Sequence, residues 1–367
     1  MSSENSNQTI SVHRTSFVVT PRYEILSAIG FGGYGSTVCV RDTTVAVEDA
    51  SICLVMKKLD AVLRNKDYAW SLARQLLLLK DTWHPNCLRI RDVLVQDKLH
   101  IYLVYEQLEC NLAEVLRASE VMTKSHIQHI IVHIARGLKY LHANQVVLCN
   151  LQPEGVQVGI TLAAQGSIRI GDFNCVRKVG EPMPTVPADN LSWYMAPECV
   201  LKCTEHVTTS MDLWSLGCLL VELYTARPLF SGSNYLHQLQ SMVDVVRSAM
   251  SEQELVWVTN KDTAQLLRQV PHSPSTQPMR NIIPGADKAA VDLVKRLLKF
   301  NPAERITAAD VLAHPFCVDV DSSIAPLPKE LRTVGGTSSS SSLDWALPST
   351  TPLSTIAGAI INVSTQV

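Results

Sequence analysis

The stretch "IGFGGYGSTV", Ile29 to Val38, decides how this chain is read. Gly30, Gly32 and Gly35 stand in a G-x-G-x-x-G spelling. Glycine allows tight turns and lets backbone amides approach phosphate oxygens. The spelling alone fits two folds. In a dinucleotide-binding unit it opens a helix. In a hairpin that covers phosphates, a second strand follows it. Here "YEILSAIG" upstream and "STVCVRD" downstream both read as strands, which favours the hairpin.

Outward from the hairpin the pattern continues. "SICLVMKKL" reads as a third strand and carries Lys57. "DYAWSLARQLLLLKDTW" has apolar residues at helical spacing and is stopped by "HPN". "HIYLVYEQL" reads as another strand. Residues 23–108 therefore form a small, strand-rich domain with one long helix. From 109 to 317 the pattern is helical, with "SHIQHIIVHIARGLKYLH", "SMDLWSLGCLLVELYTA", "AVDLVKRLLKF" and "TAADVLAHPF" as helices. Residues 1–22 are expected to be disordered. Residues 318–367, with "GGTSSSSSLDW", read as a Ser-rich, largely flexible extension.

The chain has 367 residues, 46% hydrophobic and 18% charged, in the range of a soluble globular protein. A net charge of −2 gives no electrostatic reason to expect nucleic acid as a partner. The ten cysteines show no C-x-x-C pair, so thiols in a reducing compartment are expected. No run reaches the roughly 18 apolar residues that span a bilayer. The polar N-terminus lacks the apolar core of a secretory signal. Cytoplasmic localisation is the expectation, with the nucleus as a further option.

Further motifs narrow the fold. "GDFN" occupies Gly171–Asn174, "WYMAPE" Trp193–Glu198, "DLWSLGC" Asp212–Cys218 and "NPAERITAADVLAHPF" Asn301–Phe316. With the Gly-rich turn and Lys57, in this order, they make the chain resemble a eukaryotic protein kinase from about 23 to 316. "GLKYLH", "WYMAPE" and "ARPLFSGSNYLHQLQ" make it similar to the MAP kinases. "YEQLECNL" and the insertion before "VMKKL" resemble the fungal cell-wall-integrity branch. The resemblance implies an α+β, bilobal fold with a β-rich N-terminal lobe and a larger helical C-terminal lobe.

It also implies a nucleotide site at Gly30, Gly32, Gly35, Val38, Val55, Lys57, Gln75, Tyr105, Leu108 and Gln157. Phosphoryl transfer is positioning plus charge neutralisation, so each part can be checked. Lys57 matches the lysine that holds the α- and β-phosphates. Its usual carboxylate partner on the long helix is replaced by Gln75. The catalytic loop is "VVLCNLQPEG", Val146–Gly155. Against the family's H-R-D-L-K-P-x-N, the base position holds Asn150, the lysine position Gln152 and the metal-binding asparagine position Gly155. An amide cannot accept the substrate's proton at neutral pH. General base catalysis is worth about 10²–10⁴-fold.

Cys149 stands where the family has an arginine that reads an activation-loop phosphate. The T-x-Y of MAP kinases falls on Val186, Pro187 and Ala188, and Met195 replaces the arginine of "WYRAPE". Asp172 keeps the metal-binding carboxylate, although Asn174 ends the D-F-G. Val55 replaces a small alanine, Gln157 an apolar floor residue, and Tyr105 sits at the gatekeeper position. ATP and magnesium are implied as cofactors, both weakened.

The architectural residues match the family. These are Asp212, the Glu198–Arg305 pair, and Leu79, Leu148 and Phe173 as an internal apolar column. The expected function is a MAP kinase-like pseudokinase: a non-catalytic scaffold, decoy or allosteric partner in a phosphorylation cascade. An active or slow Ser/Thr protein kinase is the alternative, and an ATP-sensing switch is a third reading. Expected partners are an upstream kinase, a transcription factor or a scaffold. The acidic docking patch of MAP kinases thins here to Asp319 and Asp321.

Overall fold

The computed structural model describes residues 8–12, 15–32, 35–44, 54–59, 66–79, 83–96, 100–106, 108, 110–118, 122–159, 166–183, 192–246, 257–258, 264–265, 267–268 and 281–318. The chain divides into two units between Leu108 and Glu109, where the composition turns from strand-like to helical.

The first unit is built on alternation. Strands β3 (Tyr23–Gly32), β4 (Gly35–Asp42), β5 (Leu54–Leu59), β6 (Ile90–Gln96) and β7 (His100–Glu106) form an antiparallel sheet in the order β3-β4-β5-β7-β6. Successive residues of a strand point to opposite faces. One face carries Leu59, Val93, Ile101 and Leu103 and buries them against Ala69, Leu72, Ala73 and Leu76 of helix α1 (Lys66–Leu79). The other carries Val38, Val40, Met56, Tyr102 and Val104.

A hairpin of β1 (Gln8–Val12) and β2 (Thr15–Val19) supplies Phe17 and Val19 to that second face, 0% and 1% exposed. This corrects the expectation of disorder through residue 22. The apolar pair gains about 1.5–3 kcal/mol per side chain on burial. Polar contacts fix the register: Val18 N donates to Tyr102 Oη (3.1 Å), and Lys58 Nζ to the Ser16 carbonyl (2.7 Å).

β6 was not read from the sequence because Asp92 interrupts its apolar run. Its carboxylate accepts hydrogen bonds from Tyr23 Oη (2.8 Å) and Arg22 Nη1 (3.0 Å), which offset its burial.

The second unit centres on two apolar helices, α3 (Lys124–Ala143) and α5 (Ser210–Thr225). α3 begins at Thr123, whose Oγ1 accepts from the His126 amide. α5 is buried on every side from Met211 to Leu223 and ends at Ala226 in the left-handed region (φ 53°). Short strands hold the loops: β8 (Cys110–Asn111), β10 (Val156–Val158) and β11 (Ile168–Ile170) form one sheet, and β9 (Val146–Val147) pairs with β12 (Arg177–Lys178). Helices α2 (Leu112–Arg117), α4 (Pro197–Val200), α6 (Tyr235–Val246) and α7 (Lys288–Leu297) follow in chain order. The segment read as one last helix is two, α8 (Ala308–Ala313) and α9 (Pro315–Val318). Pro315 lacks an amide hydrogen and pushes His314 to an extended conformation (ψ 143°). Among the described residues, no helix is long and apolar enough to cross a membrane.

Candidate functional site

In the first unit the Gly-rich motif runs from strand to strand, with Gly32 opposite Gly35. A β-strand follows where the dinucleotide reading needs a helix, so that reading fails. Gly35 has φ +124°, and a Cβ there would lie 1.9 Å from the Lys58 carbonyl oxygen. No residue with a side chain fits.

Lys57 lies opposite Thr37 of β4 and Leu103 of β7. It shares the sheet face of Val55 and of the cluster that covers α1. Gln75 is half-buried on α1, on that side of the sheet. Val55 is fully buried opposite Tyr105, which packs against the α1 cluster. Burial pushes the Tyr105 hydroxyl up to about 12. Leu108, at the end of the unit, is buried.

Val38 requires correction. It is 0% exposed on the opposite face, with Phe17 and Tyr102. Period-two alternation makes Thr37 the β4 residue on the Lys57 side. Sequence reasoning missed Thr37, although counting two positions on from Gly35 finds it. Lys58 is likewise structural: the residue is 5% exposed and its ammonium donates to the Ser16 carbonyl.

In the second unit the loop Val146–Gly155 is anchored on α5. Asp212, fully buried on α5, accepts hydrogen bonds from the Leu148 amide (3.0 Å), the Cys149 amide (3.0 Å) and His142 Nε2 (2.9 Å). Cys149 adopts φ 62°, and burial raises its thiol well above the ordinary range. A protonated, desolvated thiol cannot replace a phosphate-reading guanidinium. Arg177 turns its Nη1 back to the carbonyls of Cys175 (3.2 Å) and Val176 (2.9 Å).

Asn150 and Gln152 are half-buried beside buried Leu151 and Pro153. Gly155 is buried, and its carbonyl accepts from the amides of Gly171 (2.7 Å) and Asp172 (3.3 Å). Asp172 Oδ1 accepts from the Asn174 amide at 3.1 Å. Gln157 lies between Asn111 and Arg169 in the ladder, and its Oε1 is buried with no hydrogen-bond partner.

Further along, Glu198 and Arg305 form a bidentate pair at 2.6 and 2.7 Å, both side chains fully buried. Arg305 also donates to the carbonyls of Lys299, Phe300 and Ser210 and lies over the Trp214 ring. The sequence did not point to the buried Tyr194–Glu222 hydrogen bond (2.6 Å). Burial raises the Glu222 carboxyl and nearby Glu154 adds to this, while Tyr194 opposes it. Leu79 is buried in the first unit, Leu148 and Phe173 in the second. Val186–Ala188, Asp319 and Asp321, with the rest of the extension from 319 to 367, lie outside the described residues.

For magnesium, the fit is partial. Asp172 offers a carboxylate. Gly155 offers no side chain and leaves no space for one, since a Cβ there would lie 2.9 Å from Asp172 Cβ. Among the described residues, no group of three His, Cys, Asp or Glu is arranged to hold a metal. For ATP, Lys57 and the Gly-rich hairpin are in place, whereas the polar Gln157 is unsuited to the flat apolar face of a base. No step of metal-assisted transfer follows from this residue set.

The protein kinase domain family matches residues 23–317. The chain is similar to mitogen-activated protein kinase homolog NTF6 of Nicotiana tabacum, 31% identical over 309 residues that span 83% of this chain and 80% of that protein. It is also similar to mitogen-activated protein kinase 4a of Physcomitrium patens, 31% identical over 82% of this chain and 79% of the relative. A third relative is mitogen-activated protein kinase 14 of Arabidopsis thaliana, 31% identical over 83% and 81%.

Proposed function

We propose that this chain, which belongs to the protein kinase domain family and is MAP kinase-like, acts as a pseudokinase. In this reading it is a non-catalytic scaffold or an allosteric or decoy partner in a phosphorylation cascade, with weak ATP binding. The observation that carries the reading is selective: Gln75, Asn150, Gln152 and Gly155 stand at four catalytic positions, while the Asp212 anchor and the buried Glu198–Arg305 pair are intact. Asn150 leaves no base for the substrate hydroxyl. Gln152 removes a cation from the γ-phosphate, and Gly155 a magnesium ligand. Residues that act as a unit lose nearly everything when several are removed. Partners of the class expected are an upstream kinase, a transcription factor or a scaffold, in the cytoplasm or nucleus. The fungal cell-wall-integrity branch is the pathway type this reading favours.

Lys57 and Asp172 support the alternative, a slow Ser/Thr protein kinase. Transfer of phosphate from ATP to a general MAP kinase substrate decides between them. The expected result is no signal above a Lys57→Met, Asp172→Ala variant. Activity that vanishes in that variant overturns the pseudokinase reading. A thermal shift with ATP, with and without magnesium, separates a passive scaffold from an ATP-sensing switch. A ligand at 100 times its Kd stabilises by about 2.7 kcal/mol.

A further inference from the structure

Gly155 is buried, and its φ lies outside the left-handed region. Conformational freedom therefore does not explain a glycine there; space does. A Cβ on residue 155 would stand 2.9 Å from Asp172 Cβ, closer than two carbons can approach. Asp172 Cβ is not the end of a flexible side chain, so relief requires a backbone shift. The same residue is tied on both sides. Its amide donates to the Gln152 carbonyl (3.0 Å), and its carbonyl accepts from Gly171 (2.7 Å) and Asp172 (3.3 Å). Beyond Asp172, the turn is closed by Asn174 N to Asp172 Oδ1 (3.1 Å) and Val176 N to the Phe173 carbonyl (3.2 Å).

We infer that the bare Cα of Gly155 is what lets the Asp172–Asn174 turn close against the catalytic loop, where the Gly155 carbonyl holds it through the Gly171 and Asp172 amides. This face of the protein then keeps one shape without nucleotide or metal. The inference rests on the pseudokinase reading and adds its regulation: partners meet a surface that ATP does not reshape. It also means that restoring a metal ligand at 155 is blocked by packing, because any side chain there displaces Asp172.

The test is a set of thermal melts on the full chain. Gly155→Ala should lower Tm by about 3–8 °C. The loss should persist in an Asp172→Ala background, which removes the carboxylate but keeps Cβ. It should fall to half or less in an Asp172→Gly background, which removes the atom that the new methyl would strike. An equal loss in all three backgrounds, or no loss in the first, overturns the inference.

Should Gly155→Ala fail to fold, amide exchange on the unaltered protein, stripped of nucleotide and treated with chelator, decides instead. Gly171 and Asp172 should exchange as slowly as the β10–β11 amides; exchange at open-loop rates overturns the inference. Phosphotransfer by the unaltered chain would break the pseudokinase reading while leaving the melt comparison intact, so the two failures are distinguishable.

Discussion

The Glu198–Arg305 pair and the loop from Asn150 to Gly155 belong to the same unit and answer to different demands. The pair is sealed from water, with both side chains fully buried and the guanidinium shared among Glu198 and three carbonyls. Removing either partner strands a charge in a medium that cannot solvate it. Asn150 and Gln152 are half-buried. An amide in place of a charged group there leaves no buried ion behind. Within the loop the distinction repeats: the amides of Leu148 and Cys149 are anchored on the buried Asp212 carboxylate, whereas Asn150 and Gln152 are half-buried. Different atoms thus carry the shape of the loop and the chemical groups it presents.

The largest expected effect lies at the pair. Glu198→Ala should cost about 3–5 kcal/mol of unfolding free energy in a denaturant titration. A loss under 1 kcal/mol would break the contrast at its stronger end.

Asp212→Ala comes next. It leaves the buried Leu148 amide, the half-buried Cys149 amide and His142 without their acceptor, and a loss of about 2–3 kcal/mol is expected from the same titration. An unchanged midpoint would show that the loop does not need its anchor.

The third test concerns another buried polar group of this unit. His133 packs on His129 (ring centroids 4.0 Å apart) and faces Arg136. Burial lowers its pKa to about 4, with both neighbours contributing, although its hydrogen bond to the His129 carbonyl opposes this. The unfolded chain takes up this proton near the ordinary value of about 6.5. Between these values the unfolded state binds more protons, so stability falls as pH drops from about 6.5 to 4. The His133-dependent part should reach about 1–2 kcal/mol after allowance for hydration, and should disappear in His133→Gln. Equal pH slopes for the two proteins would refute the assignment.

The smallest effect is expected at the two amide positions of the loop. Asn150→Asp with Gln152→Lys should shift stability by no more than about 0.5 kcal/mol. The pair of changes should not produce phosphotransfer in a radiolabelled ATP assay, since Gly155 and Gln75 remain. Recovered activity would mean that the loop had kept more of a working site than its glycine suggests.

The Gly-rich hairpin, Lys57, Gln75 and the altered loop were legible in the sequence because each depends on residue type at fixed spacing. Near Leu108 the pattern visibly turns from strand-like alternation to helical spacing. Other features were not. "QTISVHRTSFVV" reads as a polar tail, and only the arrival of Phe17 and Val19 on a sheet built from later residues makes it a hairpin. Nothing in the local sequence marks Lys58 as structural, yet it is pinned to Ser16. Assigning Val38 to the site was an error of alternation, corrected by the register that sets Thr37 opposite Lys57.

By itself the sequence determined which chemical groups stand at the catalytic positions, because residue identity fixes whether a base, a cation or a metal ligand is present. Only the tertiary structure decided what the replacements do. That Gly155 lies against Asp172 with no room for a methyl, and that Asp212 and Arg305 are sealed from water, follow from packing between residues far apart in the chain. Such packing has no signature in local spacing.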